Sequence, residues 1–281
     1  MACDYVVHYE CQAKLDFGEG DSLVGTEKLL EAVKAQNRAE LLEEMARSSG
    51  KPLEKERITL NLITPEGISE QREVSYGDLV NEASPLERIG PQCSSCPANF
   101  LNQPMGCSGA LNYPIAFGIE EWIAENIQPA DNFGGNLCLQ FMTEFQVDGS
   151  HTQAMRDAGY FEAKKQLQTV VSKRLFKSIK ITTNQVFDAI LGAGNPLQPS
   201  HVWGILMWFG ALKIDGRSLG HIGDREPLDV LLSCSTRDEK LEHVSLEVGE
   251  RDTDSVICQI QDLLDAMFRC WIEDVPMLIS P

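Results

Sequence analysis

Residues 90–115 read GPQCSSCPANFLNQPMGCSGALNYPI and carry three cysteines, Cys93, Cys96 and Cys107. The prolines, glycines and asparagines of this stretch exclude long regular elements, so we expect a loop that folds back on itself. Two thiols separated by two residues can face one ion across a tight turn, and a third on the returning arm completes most of a tetrahedral site. The spacing therefore predicts that these three cysteines bind a metal ion or a cluster.

The stretch from residue 93 to residue 150 contains six acidic residues and no lysine or arginine. A free thiol becomes a reactive thiolate beside cations, a helix N-terminus or a metal. Because the neighbouring sequence lacks cations, a metal site is favoured over a redox or nucleophilic thiol pair, unless distant residues fold in. Ordinary burial stays open as the alternative, since cysteine is often packed in protein cores.

A fourth ligand has to come from outside this loop. Cys138 is our first choice, because we predict that residues 137–147 form a strand that returns toward the loop. Cys3 and Cys11 are the alternatives. On the strand predicted for residues 3–11 they lie about 26 Å apart at roughly 3.3 Å per residue, so at most one can be a ligand. Packing in the core competes as the explanation for all three thiols.

The sequence leaves two candidates for the metal, zinc and an iron–sulfur cluster. A zinc knuckle gains from backbone N–H groups after its second cysteine, but Pro97 has none, and Cys107 does not begin a second Cys-x-x-Cys pair. A Cys-Pro step and a largely uncharged wrapping loop favour an iron–sulfur cluster slightly. Zinc remains the alternative cofactor.

Length and composition indicate a globular protein. The chain has 281 residues, of which 43% are hydrophobic, enough for a substantial core and for two domains. No basic start followed by an apolar run is present, and the apolar stretch 202–212 is too short for a membrane span. Nine cysteines without an export signal predict a reducing cytoplasm.

The hydrophobic pattern predicts an α+β fold: a small N-terminal strand, helix and hairpin unit, the central cysteine loop, and a largely helical C-terminal half. We predict an α+β unit over residues 1–150, which includes the loop 90–115, and a mainly helical unit over 151–281 that either stands alone or packs on the first as one domain. The elements expected are a strand at 3–11, helices at 23–48, 76–83, 118–126, 184–191, 201–211 and 253–271, a hairpin at 57–64 and 68–74, and strands at 137–147 and 228–235.

The net charge is −18, yet residues 151–180 carry seven basic and two acidic residues. Their apolar residues recur at helical spacing, so we predict an amphipathic helix whose basic face pairs with acidic neighbours. Nucleic acid is not an expected partner, because an acidic body repels polyanions. A protein partner is expected instead.

Familiar catalytic motifs are missing from the sequence, including a Walker loop, a G-x-S-x-G elbow and an H-E-x-x-H pair. This favours a non-enzymatic accessory or regulatory protein that carries a metal or iron–sulfur site and contacts other proteins. The alternative is a thiol-dependent or iron–sulfur-dependent redox enzyme, with His151, His221 or Glu121 as proton carrier.

Overall fold

The computed structural model is an α+β fold, as the sequence predicts. It describes residues 3–50, 52–53, 57–64, 67–174, 177–192, 195–220, 226–251 and 256–280. No helix in these ranges is long and apolar enough to cross a membrane.

A three-stranded antiparallel sheet organises the surroundings of the cysteine loop. Its central strand is β1 (Cys3–Val7), and its edges are β4 (Ser108–Leu111) and β10 (Met277–Ser280). Every residue of β1 is buried, so both faces of this strand are covered and the expected alternation of faces is absent. The strand is also shorter than the predicted 3–11, because a helix begins directly after Cys11.

The remaining strands form two hairpins and a second three-stranded sheet. The hairpin predicted for residues 57–74 is confirmed. The sheet has the order β8-β7-β9. The strands are β2 (Arg57–Thr64), β3 (Gly67–Ser75), β5 (Gln168–Arg174), β6 (Lys177–Thr182), β7 (Leu212–Ile214), β8 (Arg217–Ser218) and β9 (Val244–Leu246).

Helices make up most of the rest of the described chain. They are α1 (Gln12–Phe17), α2 (Ser22–Ser49), α3 (Tyr76–Ala83), α4 (Leu86–Ile89), α5 (Phe117–Asn126), α6 (Phe133–Glu144), α7 (Ser150–Asp157), α8 (Thr183–Gly192), α9 (Pro199–Trp208), α10 (Glu226–Ser233), α11 (Arg237–His243) and α12 (Cys258–Glu273).

Helix α2 shows how local signals set the boundaries of an element. The Asp21 side chain accepts hydrogen bonds from the N–H groups of Leu23 and Val24 at its start. At its end Gly50 has a φ of 67°, the left-handed conformation that glycine adopts without steric cost. The helix continues without a break through Gln36 and Asn37.

Three predicted elements are wrong. Residues 137–147 and 228–235, expected as strands, lie largely in α6 and α10. The basic segment 151–180, expected as one helix, contains α7 and then the hairpin β5–β6. Short apolar runs fit a buried helix or a strand equally well, and β-branched side chains favour the hairpin.

One large apolar cluster contains members of both predicted units, from Cys3 to Ile279. Within it α12 packs against α9, β1 and β4. The strand β4, which follows Cys107 directly, therefore contacts both β1 and α12. A smaller cluster lies between α2, α3 and the hairpin β2–β3.

Candidate metal centre

The Cys93–Cys96 turn is closed by backbone hydrogen bonds. Residues Gly90–Ser95 form a 3-10 helix, and the backbone becomes extended at Cys96. The Cys93 carbonyl accepts from the Cys96 N–H at 3.2 Å. It also accepts from the side-chain amide of Asn99 at 2.9 Å. These bonds hold the first two thiols of the predicted site on one turn.

Asn99 connects this turn to the returning arm. Its Nδ2 also donates to the Gln103 carbonyl at 2.9 Å, and its Oδ1 accepts from the Gln103 N–H at 3.3 Å. Gly106 lies against Asn99 so closely that a Cβ there would overlap Oδ1. The Phe100 N–H donates to the Gly106 carbonyl at 2.9 Å, which completes the fold-back just before Cys107.

The returning arm is fixed to β1. The Val7 N–H donates to the Cys107 carbonyl at 2.9 Å. Beyond it, Val6 pairs with Ser108 in the β1–β4 ladder. The ring of Phe100 stacks on that of Tyr5, with 6.3 Å between the ring centroids. Cys107 is therefore placed by the central sheet as well as by its own loop.

The loop thiols are mostly withdrawn from solvent. Cys93 is 8% exposed and Cys107 5%, while Cys96 is half-buried. The Cys93 thiol donates to the Ile89 carbonyl at 3.7 Å. Burial raises the pKa of Cys96, and a hydrogen bond from the Ala98 N–H lowers it. Ala98 thus supplies the N–H that Pro97 lacks.

The charges of these thiols act on one another. Burial raises the pKa of Cys107 to about 11; Lys14 opposes this, and the neighbouring Cys96, Cys93 and Cys11 raise it further. Cys11 and Cys93 also raise the pKa of Cys96. Cys11 and the loop thiols are therefore near enough for the charge of one thiol to affect the pKa of another.

Cys11 and Lys14 come from the start of α1. Cys11 precedes this helix with an extended backbone, and its thiol makes no capping bond to it. Lys14, one turn later, is 2% exposed and donates from Nζ to the Val7 carbonyl at 2.5 Å. A cation from a distant part of the sequence therefore lies beside the thiols, although the neighbouring sequence has none.

The other cysteines stand in different surroundings. Cys138 is fully buried in α6, and burial alone raises its pKa to about 12, without a contribution from any other thiol. The pKa of Cys270, in α12, is raised by burial and by Cys107 and lowered by Lys14. Burial raises the pKa of Cys3 in β1; Asp4 raises it further and Lys34 lowers it. The strand that was to carry Cys138 back to the loop is a helix.

Comparison with known proteins adds nothing to this geometry. No family model, curated protein or solved structure matches the chain.

Within the described ranges, we find no group of three or more histidine, cysteine, aspartate or glutamate side chains that is arranged to hold a metal ion. The four neighbouring thiols would therefore have to turn toward one another to share an ion. The segments that carry these thiols are already connected through β1. Val7 accepts a hydrogen bond from Lys14 of α1 and donates one to Cys107 of the loop.

The proton carriers considered for an enzyme lie elsewhere or outside the described ranges. His151 is the second residue of α7 and lines a hollow with Phe145, Asp148 and Asp188. No cysteine lines this hollow. Glu121 is exposed on α5. His221 lies outside the described residues.

Proposed function

We propose that this protein is a non-enzymatic accessory or regulatory protein of the cytoplasm. Its loop thiols Cys93, Cys96 and Cys107 hold a metal ion or an iron–sulfur cluster, and it acts through contacts with other proteins. The observation that supports this is the fold-back of the cysteine loop, which hydrogen bonds fix at the Cys93–Cys96 turn and at the returning arm that carries Cys107.

An iron–sulfur cluster is slightly favoured over zinc. The loop that carries the thiols has no lysine or arginine, two of its three thiols are buried, and the Ala98 N–H is directed at the Cys96 sulfur. Shielding and N–H to sulfur bonds are the features by which proteins stabilise and tune such clusters. Zinc bound by thiolates gains from the same bonds.

The alternative is a redox enzyme that uses the thiols or the cluster. Lys14 supplies a cation that favours thiolates, which supports this alternative. However, burial raises the pKa of Cys96 and brings that of Cys107 to about 11, so burial disfavours the thiolate form of these two residues. A protonated thiol is a poor nucleophile, and a bound metal is the more effective means of deprotonating it.

Anaerobic purification followed by metal analysis and visible spectroscopy tests the proposal. We expect stoichiometric iron and sulfide with cluster absorption, or stoichiometric zinc without it. The Cys93→Ser and Cys96→Ser variants should lose the metal. Cys234→Ser is the control, because this half-buried thiol bonds to the carbonyls of Val230 and Glu239 instead. Metal-free wild type after both iron–sulfide and zinc reconstitution would overturn the proposal.

A groove beside the cysteine loop is the surface we assign to a partner. It is lined by residues of α2, α3 and α4 and by residues of the cysteine loop. Its charged lining residues are Glu40, Glu43 and Glu87, with no lysine, arginine or histidine. The apolar lining residues are Ala39, Val80, Ala83, Leu86, Pro91, Pro104 and Met105.

The chemistry of this groove fits a basic amphipathic segment of another protein. Apolar side chains of such a segment would cover Val80, which is 41% exposed, while its cations meet the acidic rim. Because Pro91 and Met105 belong to the cysteine loop, a change in the metal site reaches the same groove. The partner surface and the metal site are therefore adjacent.

A synthetic peptide with lysine and leucine at helical spacing tests the groove. The double variant Glu40→Lys, Glu87→Lys should weaken its binding about tenfold or more, because two rim charges are reversed. The control Glu121→Lys, Glu144→Lys makes the same change in net charge at exposed positions of α5 and α6. Equal weakening in both variants would show that only net charge matters, and would overturn the assignment.

A further inference from the structure

We propose that Cys11 is the fourth thiol ligand and that Lys14 is the buried counter-charge of the same centre. This inference rests on the proposed function, since it completes the site formed by the loop thiols. It replaces Cys138, our first choice from the sequence.

Cys11 is a cysteine outside the loop whose charge raises the pKa of two loop thiols. It acts on both Cys96 and Cys107. Cys107 raises the pKa of Cys270, while burial alone raises that of Cys138. Cys11 is also half-buried, as Cys96 is.

Backbone contacts fix Cys11 near the returning arm. The Val7 N–H donates to the Cys107 carbonyl at 2.9 Å, and the Val7 carbonyl accepts from Lys14 Nζ at 2.5 Å. The Leu15 N–H donates to the Cys11 carbonyl at 3.0 Å, which ties Cys11 to the first turn of α1. One residue of β1 therefore links the turn that carries Cys11 to the loop that carries Cys107.

Lys14 indicates that the site takes an anionic group. Its ammonium is buried, and no carboxylate of the described ranges lies within ion-pair distance of it. Buried cations are normally paired, because their desolvation is otherwise uncompensated. Thiolates bound to a metal would provide the missing counter-charge. Four thiolates around a divalent ion, or around a cluster core of charge +2, leave a net charge of about −2.

The binding step balances without an oxidant or reductant. Each of the four thiols loses its proton to solvent as its sulfur–metal bond forms, so about four protons are released for each divalent ion bound. A site with three thiols and a water ligand releases about three. Calorimetry in buffers of different ionisation enthalpy counts these protons.

Cobalt(II) titration of the metal-free protein, followed by visible spectroscopy, tests the fourth ligand. Cys11→Ser should weaken cobalt binding about tenfold or more and reduce the sulfur-to-cobalt absorption, as expected when one thiolate is lost. The controls Cys138→Ser and Cys270→Ser alter fully buried core thiols and should bind as wild type does. Wild-type binding by Cys11→Ser, or loss of binding in Cys138→Ser or Cys270→Ser alone, would overturn the inference.

A second variant covers the case in which Cys11→Ser does not fold. Cys11→His replaces one ligand by another, so it should bind cobalt with a shifted spectrum, which a purely structural cysteine would not cause. Failure of the proposed function itself looks different: cobalt then binds to Cys93→Ser as well as to wild type, or binds to neither.

Lys14 has a test of its own with two readouts of opposite sign. Lys14→Met should raise the melting temperature of the metal-free protein, because an unpaired buried charge is removed, and should weaken cobalt binding about tenfold. Lys14→Arg keeps the charge and should retain tighter cobalt binding than Lys14→Met. A merely structural lysine would lower the stability of both forms, and that result would overturn its role as counter-charge.

Discussion

Arg156 and Glu120 form a two-point ion pair in the interior. Nη1 of Arg156 lies 3.0 Å from Oε2 of Glu120 and Nη2 lies 2.5 Å from Oε1. The side chains are 1% and 0% exposed. Thr183 donates to Glu120, Asn184 accepts from Arg156, and the guanidinium lies 4.3 Å from the ring centre of Phe161. The sequence predicted that the cations of residues 151–180 lie on the solvated face of a helix. Arg156, one of these cations, is instead buried and paired with Glu120.

Arg156→Met should destabilise the protein by about 3–5 kcal/mol, because it leaves the Glu120 carboxylate buried without its cation. Urea unfolding measures this loss. Lys28→Met removes the exposed pair with Glu19 and should cost less than about 1 kcal/mol. Similar losses in the two variants would contradict the structural importance of the buried pair.

Gly134 and Gly204 should respond in opposite ways to an added methyl group. A Cβ at Gly134 would overlap the Met207 carbonyl, so Gly134→Ala should destabilise the α6–α9 contact by about 1–3 kcal/mol. At Gly204 the nearest heavy atom would lie 3.7 Å away, and alanine should be neutral or stabilise α9 by up to about 1 kcal/mol. Thermal unfolding of both variants checks the prediction, which fails if Gly134→Ala is as stable as wild type.

His8 should make the fold less stable in mild acid. Burial and the nearby Lys14 lower its pKa below 6.5, while Glu10 and Asp21 act in the opposite direction. The unfolded chain therefore binds the proton first, so this contribution is complete above about pH 6.5 and is lost as the pH falls toward the folded pKa. His8→Gln should show a smaller fall in melting temperature between about pH 7.5 and pH 5.5. An unchanged pH profile would contradict this.

Elements with strong local signals were predictable from the sequence. Residues 57–74 carry a turn tripeptide between β-branched runs, and α3 ends at Ser84-Pro85. Residues 137–147 carry no such signal, because an apolar run of that length suits either element. Its helix α6 is set by contact with α9, where Gly134 allows a close approach that local propensity does not report. Pairing of β1 with β10 is equally invisible, since 270 or more residues separate the partners.

The same division holds for the candidate site. The Cys93-x-x-Cys96 turn and the returning arm at Cys107 are local, so spacing predicted them. Cys11 and Lys14 follow β1, which pairs with β4 of the cysteine loop although the two strands are about 100 residues apart in the sequence. The strand predicted for 3–11 also obscured the start of α1. A helical reading of residues 12–17 would have placed Cys11 and Lys14 on one turn, though not beside the loop.

Removal of the metal should affect variants according to whether they keep the loop thiols. A chelator should lower the melting temperature of wild type and of Cys270→Ser, because binding energy at the site contributes to folding. Cys93→Ser should already melt at the lower temperature and should not respond to the chelator. A chelator effect of equal size in all three proteins would contradict metal binding at the loop.

The protein should bind neither DNA nor RNA detectably at about 150 mM salt, because its basic hairpin belongs to a chain of net charge −18. Filter binding with mixed-sequence duplexes and single strands measures this. Micromolar binding that disappears when Lys173, Arg174 and Lys177 are all changed to glutamate would contradict the assignment to a protein partner.

The central position of β1 has a consequence for the nascent chain on the ribosome. β1 can pair with β4 once residue 111 has left the exit tunnel, but its other edge stays open until residues 277–280 have been synthesised. During that interval the cysteine loop can already be anchored through Val7, while the free edge is a template for pairing with another chain. We therefore expect truncated chains that stop before β10 to aggregate through β1.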